Sequence, residues 1–118
     1  MMYSPNTEFL KGVLDSLAAT KIPVHFKLPD ATVKEPFFVI GNRIDDDTPS
    51  SKFGAVIDTT LTIDLFYPIA SRTQLEEAIF QAKKALGQRR NITSDIRIDD
   101  SIGREVYHVI FRVTDYIF

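Results

Sequence analysis

Few residues in this 118-residue chain are of a type and spacing that could do chemistry. His25 and His108 are the only imidazoles. They fall in different β-prone runs, with no Ser or Asp at a spacing that ties either one into a triad. Zinc commonly takes three protein ligands, so the pair would need a carboxylate to complete a site. The densest acidic run is Asp45-Asp46-Asp47. Metal loops alternate ligands with spacers and set a Gly and a bidentate Glu at fixed positions, which this run does not, so it reads as a solvated acidic loop. Asp99 and Asp100 precede Gly103 in a turn, where Asp is favoured for backbone reasons. Gly12, Gly41, Gly54, Gly87 and Gly103 do not gather into a phosphate-binding loop, which removes the main support for a nucleotide cofactor.

Composition narrows the classes further. With no Cys there is neither a thiol nucleophile nor a thiolate metal site, and a reducing cytoplasm is the default expectation. The 14 basic and 16 acidic residues give no overall attraction to phosphate backbones or anionic lipid. Lys83, Lys84, Arg89 and Arg90 form a modest basic cluster, in which complementation of a helix C-terminus explains the lysines more simply than nucleic acid does. The aromatic residues lack the interleaved basic residues and the element order of an RNA-binding sheet, so most are expected in the core. No apolar run approaches the roughly 20 residues that span a bilayer, and the first residues carry no basic-then-apolar export pattern.

The elements that must position these residues are legible from periodicity. Ser4-Pro5 reads as an N-cap followed by proline at the first helical position, and Phe9, Leu10, Val13, Leu14, Leu17 and Ala18 then share one helical face. Val24 to Leu28 and Phe37 to Ile40 read as strands, the second apolar on both faces. Residues 42–54 carry acids, Ser and Pro with little to bury, and are expected as a mobile polar loop. The best strand is Ala55 to Tyr67, with Ile57, Leu61, Ile63, Leu65 and Tyr67 on one face and Asp58, Thr60, Thr62 and Asp64 on the other. Ser71 and Gln74 read as a capping box for a helix with Leu75, Ala78, Ile79, Ala82 and Leu86 as its stripe, closed by Gly87. Ile96 to Asp99 and Val106 to Phe118 read as a hairpin.

The predicted order is therefore α-β-β-β-α-β-β. The fold class is α+β, with two helices on one face of a mostly antiparallel sheet of four to five strands, in a single domain. Small Mg²⁺-dependent nucleases of the restriction-enzyme type share part of this order. Those enzymes need a Pro-Asp on one strand and Glu-x-Lys or Asp-x-Lys on the next, so that carboxylates hold the metal while Lys orients water. Pro29-Asp30 is present, but neither following strand contains the triplet. No catalytic, cofactor-binding or metal-binding residue is assigned.

Pro29-Asp30-Ala31, the strand Pro36 to Gly41, the Asp-Thr-Pro stretch at 47–49, the long strand ending Phe66-Tyr67 and the helix from Leu75-Glu76-Glu77 to Leu86-Gly87 together resemble the tail terminator, or tail completion, proteins of long-tailed bacteriophages. The likeness covers nearly the whole chain and lies in order, length and spacing rather than in an invariant signature. Other head-tail connector components share such a pattern. The resemblance implies a structural, non-enzymatic virion protein that forms a hexameric ring on the tail tube, stops its growth and offers a docking surface to the head. Its implied partners are further copies of itself, the major tail tube protein and head-tail connector proteins, with DNA passing through the ring and no membrane involved. Its implied place is the head-tail junction, after assembly in the host cytoplasm.

Apolar residues on both faces of two strands, with only two helices as cover, predict surface that needs a partner. The expected subunit or partner interface comprises Phe37, Phe38, Ile40, Phe66, Tyr67, Tyr116 and Phe118. Asp45, Asp46, Asp47, Lys52 and Phe53 are expected on a channel or docking loop, where the carboxylates would repel passing phosphates.

Overall fold

Ser4 starts the first helix as its type predicts: its hydroxyl accepts the Thr7 amide at 3.2 Å, and Pro5 follows in the first turn. The computed structural model describes residues 3–46, 57–87, 89 and 91–117. Within them run α1 (Pro5–Ala18), β1 (Val24–His25), β2 (Phe37–Asp46), β3 (Ile57–Pro68), α2 (Arg72–Leu86), β4 (Asn91–Asp99) and β5 (Val106–Ile117). The order is the predicted one, and the fold is α+β.

The five strands form one sheet in the order β1-β2-β3-β5-β4, antiparallel except for the short β1–β2 pair. Period-2 alternation in β3 sends Leu61, Ile63 and Leu65 to the helix side, and β5 matches it with Val109, Phe111 and Val113. Phe9, Val13 and Leu17 of α1 and Leu75, Ile79, Ala82 and Leu86 of α2 close this core from above. Each such fully buried aliphatic or aromatic side chain contributes roughly 1.5–3 kcal/mol.

Four local expectations are corrected. The Ser71 hydroxyl makes no capping bond: its ψ of 53° departs from the extended cap geometry, and the helix starts on its carbonyl, which accepts the Leu75 amide. β1 stops at His25, so Phe26 and Leu28 lie in a loop with 63% and 47% exposure. The stretch expected as a loop from Asn42 is paired strand as far as Asp46, while the rest of it, with Asp47, Lys52 and Phe53, lies outside the described residues.

The fourth correction concerns the strand that is apolar on both faces. Phe38 and Ile40 enter the helix-side core, but Phe37 and Val39 do not need another subunit. With Phe66, Val106 and Ile102 they form a second cluster on the far side of the sheet, covered by Val33 from the segment that precedes β2. Arg104 clasps that segment down. Its Nη1 donates to the Ala31 carbonyl at 2.6 Å, its Nη2 to the Val33 carbonyl at 2.8 Å, and Nε and Nη2 reach the Glu35 carboxylate at 2.9 Å each. Hydrogen bonding to Arg104 holds the largely buried Glu35 carboxyl below its usual range despite desolvation.

Beyond this cover the second face turns polar. Thr60, Thr62 and Asp64 of β3, Arg112 and Thr114 of β5, and Thr93, Asp95 and Arg97 of β4 follow one another across the register. Thr60 and Thr114 hydroxyls meet at 3.0 Å. The described chain measures 50 × 27 × 25 Å. Twelve-residue strands span about 40 Å against roughly 21 Å for a 14-residue helix, so the sheet runs past its helices.

Candidate functional site

Register places four rings in a file across the second face. His25 meets Phe37 edge-on at 5.6 Å, Phe37 lies 5.3 Å from Phe66, and Phe66 stacks on His108 at 4.5 Å and 17°. The file exists because Phe37 pairs with Phe66 and Phe66 with His108 on β2, β3 and β5. It ends in charge. His108 Nε2 lies 2.9 Å from Asp64 Oδ1 on β3, and Nδ1 lies 3.1 Å from Asp99 Oδ2 on β4.

The ring is flanked by two carboxylates and only 18% exposed, an environment that favours its protonated form. Hydrogen bonding to Asp64 raises the His108 pKa, burial opposes the shift, and Asp99 adds to it. Asp99 is held low, first by the Ser101 amide at 2.7 Å and also by His108. Both ring nitrogens are engaged, each within hydrogen-bond distance of a carboxylate on a neighbouring strand. The arrangement joins β3, β5 and β4 by charge-assisted bonds. Among the described residues no group of three His, Cys, Asp or Glu side chains is placed to hold a metal ion.

The acidic run is only partly visible. Asp45 pairs with Arg43 at 3.2 Å and accepts a bond from Thr59, a fully buried polar residue. Its charge is thus committed inside the protomer rather than displayed on a loop. Asp46 continues the strand opposite Asp58. Pro29-Asp30 stands in a loop, where Asp30 accepts the Thr32 amide at 2.8 Å, a bond that lowers its pKa. It is not a strand carboxylate of the nuclease kind. Arg89 donates to the Leu86 carbonyl at 3.1 Å and pairs with Asp115 at 3.3 Å, which ties the end of α2 to β5. Arg90 lies outside the described residues.

Of the expected interface residues, Phe37, Phe38, Ile40 and Phe66 are buried within the protomer, and a partner could reach them only by opening it. Tyr67 is half-buried against the helix-side core, and Tyr116 is 47% exposed. Phe118 lies outside the described residues. Among the described residues two strand edges remain unpaired. β1 covers β2 only at Phe38 and Val39, and no described strand pairs with the outer side of Gly41 to Asp45 or of β4. Apolar side chains stand beside both edges: Ile44 is 70% exposed on β2 and Ile98 64% on β4.

These features were hidden from sequence reasoning for one reason. Asp64 and His108 are 44 residues apart, and only the β3–β5 register brings them together. An outward-facing Asp on each neighbouring strand was a usable signal, but only once the strand order was known. No protein-family model and no curated protein matches the chain.

Proposed function

We propose that the chain is a structural, non-enzymatic assembly protein that closes into a ring of six on the tail tube of a long-tailed bacteriophage, ends tube growth and forms the surface on which the head docks. The observation that carries this reading is the pair of unlike open edges on opposite sides of the sheet, β2 beyond Val39 and β4. Pairing runs antiparallel from β2 to β3, β3 to β5 and β5 to β4, so β4 points opposite to β2. Copies set side by side in one orientation therefore bring β4 against the next β2 in antiparallel sense. That is a head-to-tail contact, the kind that makes rings when the rotation closes. A sheet that outruns its helices gives such a ring a wall of strands to stand on a tube. DNA would pass through it without specific contacts, at the head-tail junction of the virion.

The test adds the purified chain to polymerising tube protein encoded by the same genome. Short tubes of uniform end structure, with rings at their tips by electron microscopy, are expected. Tubes that grow on with bare tips overturn the reading. Binding to the head vertex instead assigns the chain to another head-tail connector component, and Mg²⁺-dependent cleavage of duplex DNA assigns it to the nuclease-like class.

A further inference from the structure

The two open edges differ in how they are guarded. β2 carries β1 along part of its edge, and its register with β3 shifts between Ile40 and Arg43, so its edge takes an added strand less readily than that of β4. Among the described residues β4 has no such guard. Its nine residues pair one-to-one with β5 from Asn91 to Asp99, without Pro, Gly, Lys or a bulge. Asp95, Arg97 and Asp99 stand on the polar face, while Ile92, Ser94, Ile96 and Ile98 stand on the helix side, in register with Val113, Phe111, Val109 and Tyr107.

We propose that β4 is the contact of a two-fold dimer of the free chain, with β4 of one copy antiparallel to β4 of a second copy and centred on Ile96. The sequence of the strand selects both occupant and register. A two-fold axis normal to the sheet keeps faces matched, so the strand must complement its own reverse. Centred on Ile96, each Arg97 lies opposite the other copy's Asp95, Thr93 lies opposite Asp99, and Ile98 opposite Ser94. Opposite charges in direct cross-strand register are favourable. A centre on Asp95 or on Arg97 instead opposes like charges, which is penalised, a centre on Ser94 pairs no opposite charges, and a centre on Ile98 leaves only residues 97–99 of the strand in register. Within one copy Arg97 already reaches Asp95 at 2.9 Å, so the two side chains are held on the face where the second pair would join them. The two copies would build one ten-stranded sheet, and the 64%-exposed Ile98 would gain cover.

The dimer itself does not depend on the proposed function, but its consequence rests on that reading: pairing β4 with β4 occupies the edge that ring growth needs, so the free chain would be held back until a tube offers a better partner. Sedimentation velocity over a concentration series tests the dimer without any tube protein. A monomer–dimer equilibrium is expected for the native chain. Asp95→Arg alone and Arg97→Asp alone should each weaken it by about tenfold or more, and the double exchange should restore it. Circular dichroism confirms that these exposed-edge variants fold. A chain that stays monomeric throughout, single reversals without effect, or a double exchange that fails to rescue each overturns the proposal. Tube capping is read separately, so loss of one result leaves the other standing.

Discussion

The near end of the sheet, around Phe37, Phe66 and Val106, is closed on both faces, whereas the far end, around Ile44, Thr60 and Thr114, is closed on one at most. At the near end helices cover one side, and the Val33 segment, held by Arg104, covers the other. At the far end the second face presents hydroxyls and charges, with the exposed Ile44 among them, and nothing described covers it. The contrast shows that a strand apolar on both faces does not by itself call for another subunit. A few residues of connecting chain with one well-placed guanidinium can close it. Among the described residues the fold leaves backbone unpaired at two strand edges, with Ile44 and Ile98 exposed beside them.

The sharpest way to break this contrast is to empty the near end. Phe37→Ala, at a site 2% exposed, should cost about 3–5 kcal/mol in urea unfolding, because it removes a ring from a packed cluster. Loss of less than about 1 kcal/mol would show that the second cluster is not a true core. Next in size, Arg104→Gln should release the covering segment, read as lower thermal stability and faster hydrogen exchange at the Val33 amide, which bonds the Asp30 carbonyl at 2.9 Å. Exchange unchanged there would mean that Val33 alone holds the cover.

The His108 staple predicts a pH profile. Its folded pKa is raised above the ordinary 6.5, so its contribution is complete below that value and is lost as pH rises through the folded one. Asp99 behaves oppositely: its folded pKa lies below the ordinary 3.8, so its contribution holds above that value and falls away in acid. Urea midpoints should therefore decline as pH rises above 6.5, and His108→Asn should flatten that limb. The smallest effect belongs to the far end, where Ile44→Ser should change stability by no more than about 0.5 kcal/mol.

What could be seen in the sequence follows the range of the interactions. Ser4-Pro5, the α2 stripe and the β3 alternation are local, and all three were legible. β2 was misjudged past Gly41 because the parity of its side chains changes there: Phe38 and Ile40 face the helices with Leu65 and Ile63, and after the shift it is Arg43 and Asp45 that align with Leu61 and Thr59. A stretch that is polar where a strand should be apolar reads as loop. The Val33 cover, the Arg104 clasp and the Asp64–His108–Asp99 bridge each join residues far apart in the chain, and no periodicity reports such partners.

Gly41 sits where these features meet. A Cβ there would stand 3.1 Å from the Thr62 carbonyl oxygen and 3.3 Å from Asp64 Oδ2, one of them fixed in the sheet and the other part of the carboxylate that holds His108. The missing methyl thus does two jobs at a distance from each other. It leaves room for the Thr62 carbonyl where β2 shifts its register, and it leaves the neighbouring acid free to reach across to the imidazole. A single hydrogen in place of a side chain thus couples the packing of one strand to the placement of an acid on the next.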